Sequence, residues 1–140
     1  MLKRRILSVL LVLAMLVPFA GAAQTAQDNM RGVWVASVAN IDYPSSAGMT
    51  AQALAAEADT MLDNIAAMGL NTVFLQVRPS ADALYRSGLF PQSRYVSGTC
   101  GASPDGDFDV LAYWVEGAHE RGLQLHAWIN PYRITRNGKE

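Results

Sequence analysis

"NTVFLQVRPSADALY", residues 71–85, and "LQLHAWINPYR", residues 123–133, decide the fold. Each starts as a strand and is broken by a proline, Pro79 in one and Pro131 in the other. Side chains on a strand point alternately to its two faces. In the first stretch Val73, Leu75 and Val77 share one face, and Phe74, Gln76 and Arg78 the other. In the second, Leu123, Leu125, Ala127 and Ile129 share one face, and Gln124, His126, Trp128 and Asn130 the other. The aliphatic faces suit burial under helices. The polar faces cannot be buried without partners, and their polar groups thicken toward the end of each strand. Both stretches read as strand ends that line a ligand site.

The flanking sequence supplies the helices. Thr50 is a good N-cap, and Met49 with Leu54 fits a hydrophobic staple. Leu54, Ala58, Met61, Leu62, Ile65 and Met68 recur at helical spacing, and Gly69 suits a left-handed C-terminal residue. The spacing predicts a helix over 51–68. A second helix is expected over about 108–121, capped by Asp107 or Asp109, with Leu111, Trp114, Val115 and Ala118 inward and Gly122 at its end. An uncharged β-branched and aromatic run, 32–38, predicts an earlier buried strand. Between Pro79 and about Gly106 lies a long glycine- and proline-rich connection, with one short helical turn expected from Ser80. A loop of that length inside a compact domain usually has a function.

Strand, helix, strand, helix, strand demands a parallel sheet with right-handed crossovers. An open doubly wound sheet and a (β/α)8 TIM barrel both satisfy this α/β pattern. "VANIDYPSS" stands where a glycine-rich nucleotide-binding turn would follow the first strand, which disfavours the doubly wound form. A closed barrel takes about 250 residues. Residues 31–140 are therefore expected to form its N-terminal part, about three β/α units.

The 140 residues carry a net charge of −1 and are 51 % hydrophobic, an ordinary globular balance. Nothing basic or aromatic is clustered in the way nucleic acid requires, so no nucleic-acid partner is expected. Lys3, Arg4 and Arg5 precede an apolar run from Ile6 to Val17, and small residues follow at 20–23. That is the pattern of a cleaved signal peptide, 1–23, followed by a polar linker, 24–30. The exported chain is expected in the periplasm or outside the cell, with no stable membrane anchor. Its one cysteine, Cys100, excludes an internal disulfide.

The candidate ligand-binding residues are Gln76, Arg78, Asp82, Tyr85, His126, Trp128, Asn130 and Arg133. Each has a competing structural role. Gln76 and Arg78 could form an interior network, His126 a core hydrogen bond, Trp128 barrel filling and Asp82 the cap of a turn. Asp42 and Asp82 are the carboxylates within reach of the site, and weak candidates for catalysis. His119 and His126 are not spaced as metal ligands, and the aspartates do not make a calcium loop. No metal or other cofactor is expected.

"RGVWVASVANIDYPS", "QVRPSADALYRSGLFPQSRYVSGTCG" and "FDVLAYWVEGAHERGLQLHAWINPYR" together resemble the glycoside-hydrolase-like 10 family of exported bacterial proteins. The match runs from Arg31 to Arg133. Gln76, Arg78, Pro79 and Asp82 match the family's motif after the second strand, and His126, Trp128, Asn130, Pro131 and Arg133 that after the third. Tyr43 departs mildly, standing where a tryptophan is common. The resemblance implies a (β/α)8 barrel that hydrolyses a polysaccharide, plausibly cell-wall glycan. It also places the catalytic acids beyond Glu140, because glycoside cleavage needs two carboxyl groups and the family's acidic motif follows a later strand. The alternative is a barrel that binds glycan without cleaving it.

Overall fold

The computed structural model describes residues 29–104, 106 and 108–134. The expected signal peptide and most of the expected linker lie outside the described residues, as does Asp107, the alternative helix cap. Three strands, β1 (Gly32–Val35), β2 (Thr72–Arg78) and β3 (Gln124–Ile129), form one parallel sheet in the order β1-β2-β3. Helix α1 (Ala51–Ala67) connects β1 to β2. The connection from β2 to β3 holds a short helix, α2 (Arg94–Ser97), and then α3 (Val110–Glu120).

Local chemistry sets the helix ends. The Thr50 hydroxyl accepts from the Ala53 N–H at 3.2 Å, and the Asp109 carboxylate accepts from the Ala112 N–H at 3.0 Å. Each bond satisfies one of the donors that a helix start leaves unpaired. Gly69, with φ of 73°, turns the chain after α1.

The aliphatic faces predicted from alternation form the core. Val35, Val73, Leu75 and Val77 pack with Leu54, Ala58, Leu62 and Ile65 of α1 and with Val110, Trp114 and Ala118 of α3. Gly117 lets the two helices approach closely: a Cβ there would meet Leu62 Cδ1 at 3.0 Å and Arg121 Nη1 at 3.3 Å. Arg121 in turn bridges α1, with Asp59 at 3.1 Å and Asp63 at 2.6 Å. The opposite face of the sheet carries Trp34, Phe74, His126 and Trp128 and has no helix against it among the described residues. A three-stranded parallel sheet with its helices packed on one face is compatible with part of a β/α barrel.

Three expectations need correction. The first strand ends at Val35, not Val38, because residues 38–40 turn sharply, with positive φ at Ala39 (57°) and Asn40 (53°). The short helical turn expected from Ser80 lies instead at Arg94–Ser97. Ser80 donates its N–H to Asp82 Oδ1, and Ala83 pairs with Pro91 and Ser93, so the bends of 80–85 are tied at Ala83 to a later part of the loop. Ala127 and Ile129, grouped by alternation with the core, are both exposed, Ile129 by 45 %. Strand β3 is an edge of the described sheet, and a register shift between Gln76 and Arg78 in β2 sets Ile129 opposite Arg78.

Two outcomes follow from this packing. Gly117→Ala should cost less than about 1 kcal/mol, since flexible side-chain ends can yield, whereas Gly117→Val should cost roughly 1–3 kcal/mol. Thermal unfolding of the two variants checks the contrast. Tyr43 is fully buried, and its hydroxyl donates to the Leu54 carbonyl at 3.1 Å. Burial raises its pKa well above the ordinary 10.0. The unfolded phenol ionises first, so this contribution to stability is intact below about pH 10 and declines as pH rises further. Tyr43→Phe should flatten the alkaline limb of the stability–pH curve.

Candidate ligand site at the strand ends

The loops that leave β1 and β2 are held together by buried polar side chains. Gln76 is 1 % exposed. Its amide oxygen accepts from the backbone N–H of Ser37 at 3.0 Å and of Val38 at 2.9 Å, while the Ser37 hydroxyl donates to the Gln76 carbonyl at 2.8 Å. The side chain of one strand thus replaces the ladder where its neighbour stops. Asp42 closes the same turn from the other side, accepting from the Ala36 N–H at 2.8 Å. It also lines a cavity of about 240 Å³ between β1 and α1, with Val33, Trp34 and Met61 among its walls.

Asp82 organises the long connection. Its Oδ2 accepts from the Ser93 hydroxyl at 2.7 Å and its Oδ1 from the Ser80 N–H at 3.2 Å, with the residue only 6 % exposed. Ser93 also caps α2. From α2 the hydrogen bonds continue to the β1 loop: Tyr95 O accepts from Asn40 Nδ2 at 2.7 Å, and Val96 O from the Gly48 N–H at 2.8 Å. Asp82 and Asp42 are therefore both engaged in separate loop contacts.

Arg78 stands at the end of β2. Its guanidinium carbon lies 3.7 Å from the centroid of the Phe90 ring, and its buried Nε has no hydrogen-bond partner. Across the sheet, Asn130 ties the two strand ends together. Its N–H donates to the Arg78 carbonyl at 3.0 Å, its Nδ2 to the Pro79 carbonyl at 3.1 Å, and its Oδ1 accepts from Trp128 Nε1 at 3.0 Å. The prolines that break both strands thus sit beside this clamp, and Pro79 supplies one of its acceptors.

An aromatic row crosses the helix-free face. Trp34 stacks on Phe74 with centroids 4.5 Å apart and meets Trp128 edge-on at 5.2 Å, and Phe74 lies 5.1 Å from His126. Trp34 is 59 % exposed among the described residues. Gly32 lies beneath Phe74; a Cβ there would meet the ring at 2.7 Å. Such a row offers the C–H faces of sugars an apolar platform beside hydrogen-bonding groups.

The structure brings Gln76, Arg78, Trp128 and Asn130 together at the ends of β2 and β3, and His126 joins the aromatic row. Tyr85 is half-buried against the core, Arg133 is half-buried in the turn after β3, and Tyr132 is exposed. Cys100 is exposed, as is His119 in the last turn of α3. Among the described residues no group of three or more His, Cys, Asp or Glu side chains could hold a metal ion. Sequence reasoning passed over Trp34, Phe90 and Ser93. Trp34 alternates with Val33 and Val35, which signals the face opposite the core. Phe90 and Ser93 meet their partners only through the folded loop.

Gln76→Leu should destabilise the protein by about 2 kcal/mol or more, because it leaves buried N–H groups unpaired. Ser93→Ala should increase proteolytic cutting within 86–104 while leaving the α1–α3 core intact, measured by limited proteolysis with mass spectrometry.

Residues 29–140 match the family described as glycosyl hydrolase-like 10. The chain is 45 % identical over 121 residues to glycosyl hydrolase YngK of Bacillus subtilis, covering 86 % of this chain and 23 % of that protein. It is 36 % identical over 138 residues to glycosyl hydrolase DigH of Escherichia coli K12, covering 90 % of this chain and 31 % of that protein. The chain thus spans between about a quarter and a third of the length of these curated relatives. With the family match covering the whole described sheet, its helices and the strand-end cluster, the chain belongs to the glycosyl hydrolase-like 10 family.

Proposed function

We propose that the protein is an exported glycoside hydrolase acting on polysaccharide, with cell-wall glycan strands as its substrate. In this reading β1, β2 and β3 are the first strands of a (β/α)8 barrel, and the aromatic face is the barrel interior. The observation that carries it is the helix-free face itself. Trp34, Phe74 and Trp128 present ring surface there, next to the hydrogen-bonding ends of β2 and β3. Catalytic sites of such barrels sit at the C-terminal ends of the strands, where Arg78 and Asn130 are found. The names of the bacterial relatives support hydrolysis of glycosidic bonds.

Sugar binding falls to the strand-end groups, and bond cleavage to carboxyl groups outside the described residues. Asp42 and Asp82 already accept hydrogen bonds that hold loops. The charged start, the apolar run from Ile6 to Val17 and the small residues after it support export with cleavage near Ala22 or Ala23.

Protein expressed from the complete reading frame should release reducing ends from peptide-free peptidoglycan strands. Binding without release would favour the non-catalytic glycan-binding alternative. Trp34→Ala should weaken glycan binding about 2- to 10-fold, the 0.5–1.5 kcal/mol expected of an aromatic contact. N-terminal sequencing of the exported form should begin near Ala23 or Gln24; an intact Met1 would contradict export by cleavage.

A further inference from the structure

Resting on the glycan-binding reading, we infer that Asn130 is a positioning residue. It acts on glycan through the Trp128 indole, whose ring it holds in place before a sugar arrives.

The backbone at Asn130 is fixed from both sides. Pro131 follows it, and a residue before proline is confined to extended backbone. Its N–H donates to the Arg78 carbonyl at 3.0 Å, just past the register shift at the end of β2. Arg78 itself precedes Pro79, so the partner strand end is held in the same way. The asparagine side chain therefore leaves from a set point. It stands two residues after Trp128, where alternation returns a side chain to the same face.

Its amide meets two partners of opposite kind. An indole N–H only donates, and the Pro79 carbonyl only accepts. Asn130 Oδ1 accepts from Trp128 Nε1 at 3.0 Å, and Nδ2 donates to the Pro79 carbonyl at 3.1 Å. Turning the amide over would set donor against donor and acceptor against acceptor, so one orientation is chosen. A carboxylate of the same shape would satisfy the indole but face the Pro79 carbonyl with a second acceptor. An aliphatic side chain would satisfy neither. The two partners together select a short, planar head with one donor end and one acceptor end.

The indole is thus held at two places. Its N–H is tied to Asn130, and its ring meets Trp34 edge-on, with centroids 5.2 Å apart and planes at 86°. An untethered tryptophan samples several rotamers, and a sugar stacking on it must first stop that motion. Asn130 removes this cost in advance. Because Nδ2 is anchored on Pro79, the ring is also set relative to the start of the long connection after β2.

Two measurements on the full-length protein test the inference. The first is hydrogen exchange of the Trp128 indole N–H, followed by NMR; it needs neither glycan nor a variant that folds. Exchange in wild type should be at least about tenfold slower than in a free indole, as for a donor released only by local opening. An unprotected indole would overturn the proposal. Asn130→Asp keeps the acceptor for the indole and gives up the bond to Pro79. It should stay protected while its melting temperature falls, and loss of protection there would also overturn the proposal.

The second is a double-mutant cycle, read calorimetrically as affinity for peptide-free peptidoglycan strands. Asn130→Ala should weaken binding about 3- to 10-fold, the cost of ordering one side chain on binding. In the Trp128→Ala background the same substitution should change affinity by less than about twofold, because the ring it positions is gone. An equal loss in both backgrounds would overturn the proposal by making Asn130 a sugar contact in its own right, and so would unchanged affinity in Asn130→Ala alone. The exchange readout separates the two failures. A protected indole in a protein that binds no glycan would sink the glycan-binding reading, and glycan binding with an unprotected indole would sink only the positioning role.

Discussion

A buried hydrogen bond between Asp82 and Ser93, 2.7 Å long, holds the loops at the strand ends of this protein together. It joins the first turn after β2 to the N-terminus of α2. Through α2 it extends to the β1 loop, where Asn40 and Gly48 donate to Tyr95 and Val96. A carboxylate in so dry a place is stable only when its oxygens accept hydrogen bonds. The long connection after β2 is thereby turned from a costly loop into a fixed wall, and Phe90 is delivered to Arg78.

The two faces of the sheet follow a different logic. On the core face, aliphatic side chains interlock with α1 and α3, and the close approach at Gly117 draws the helices together. On the other face, stacked rings form a surface that is neither core nor ordinary solvent-exposed sheet. Here the patch adjoins strand ends whose polar groups are pinned rather than free. Gln76 and Asn130 fix backbone at the strand ends, and Arg78 lies against the Phe90 ring.

Most of the fold was legible because its determinants are local. Thr50 and Asp109 sit where a cap is needed and make the cap bonds, and the spacing of Leu54, Ala58, Leu62 and Ile65 marks the buried face of α1. Alternation in β2 separated Val73, Leu75 and Val77 from Phe74 and Gln76 correctly. In β3, an edge of the described sheet, it failed at Ala127 and Ile129, which are exposed. The early end of β1 was hidden because Gln76, far along the chain, takes over its hydrogen bonds. The contact of Phe90 with Arg78 was hidden for the same reason. The residue types at the site were readable in sequence, but which of them are already committed to partners is a property of tertiary contacts.

The central claim is that the helix-free face, and not the helix side, receives glycan. The tryptophans test it with a built-in control. Trp34 and Trp128 lie on that face, whereas Trp114 of α3 is fully buried in the core on the helix side. Indole N–H resonances of the full-length protein, assigned by single Trp→Phe substitutions, would be followed by NMR as peptide-free glycan is added. The account predicts saturable shifts at Trp34 and Trp128 with Trp114 unmoved. Shifts confined to Trp114, or saturable binding that leaves Trp34 and Trp128 unchanged, would contradict it.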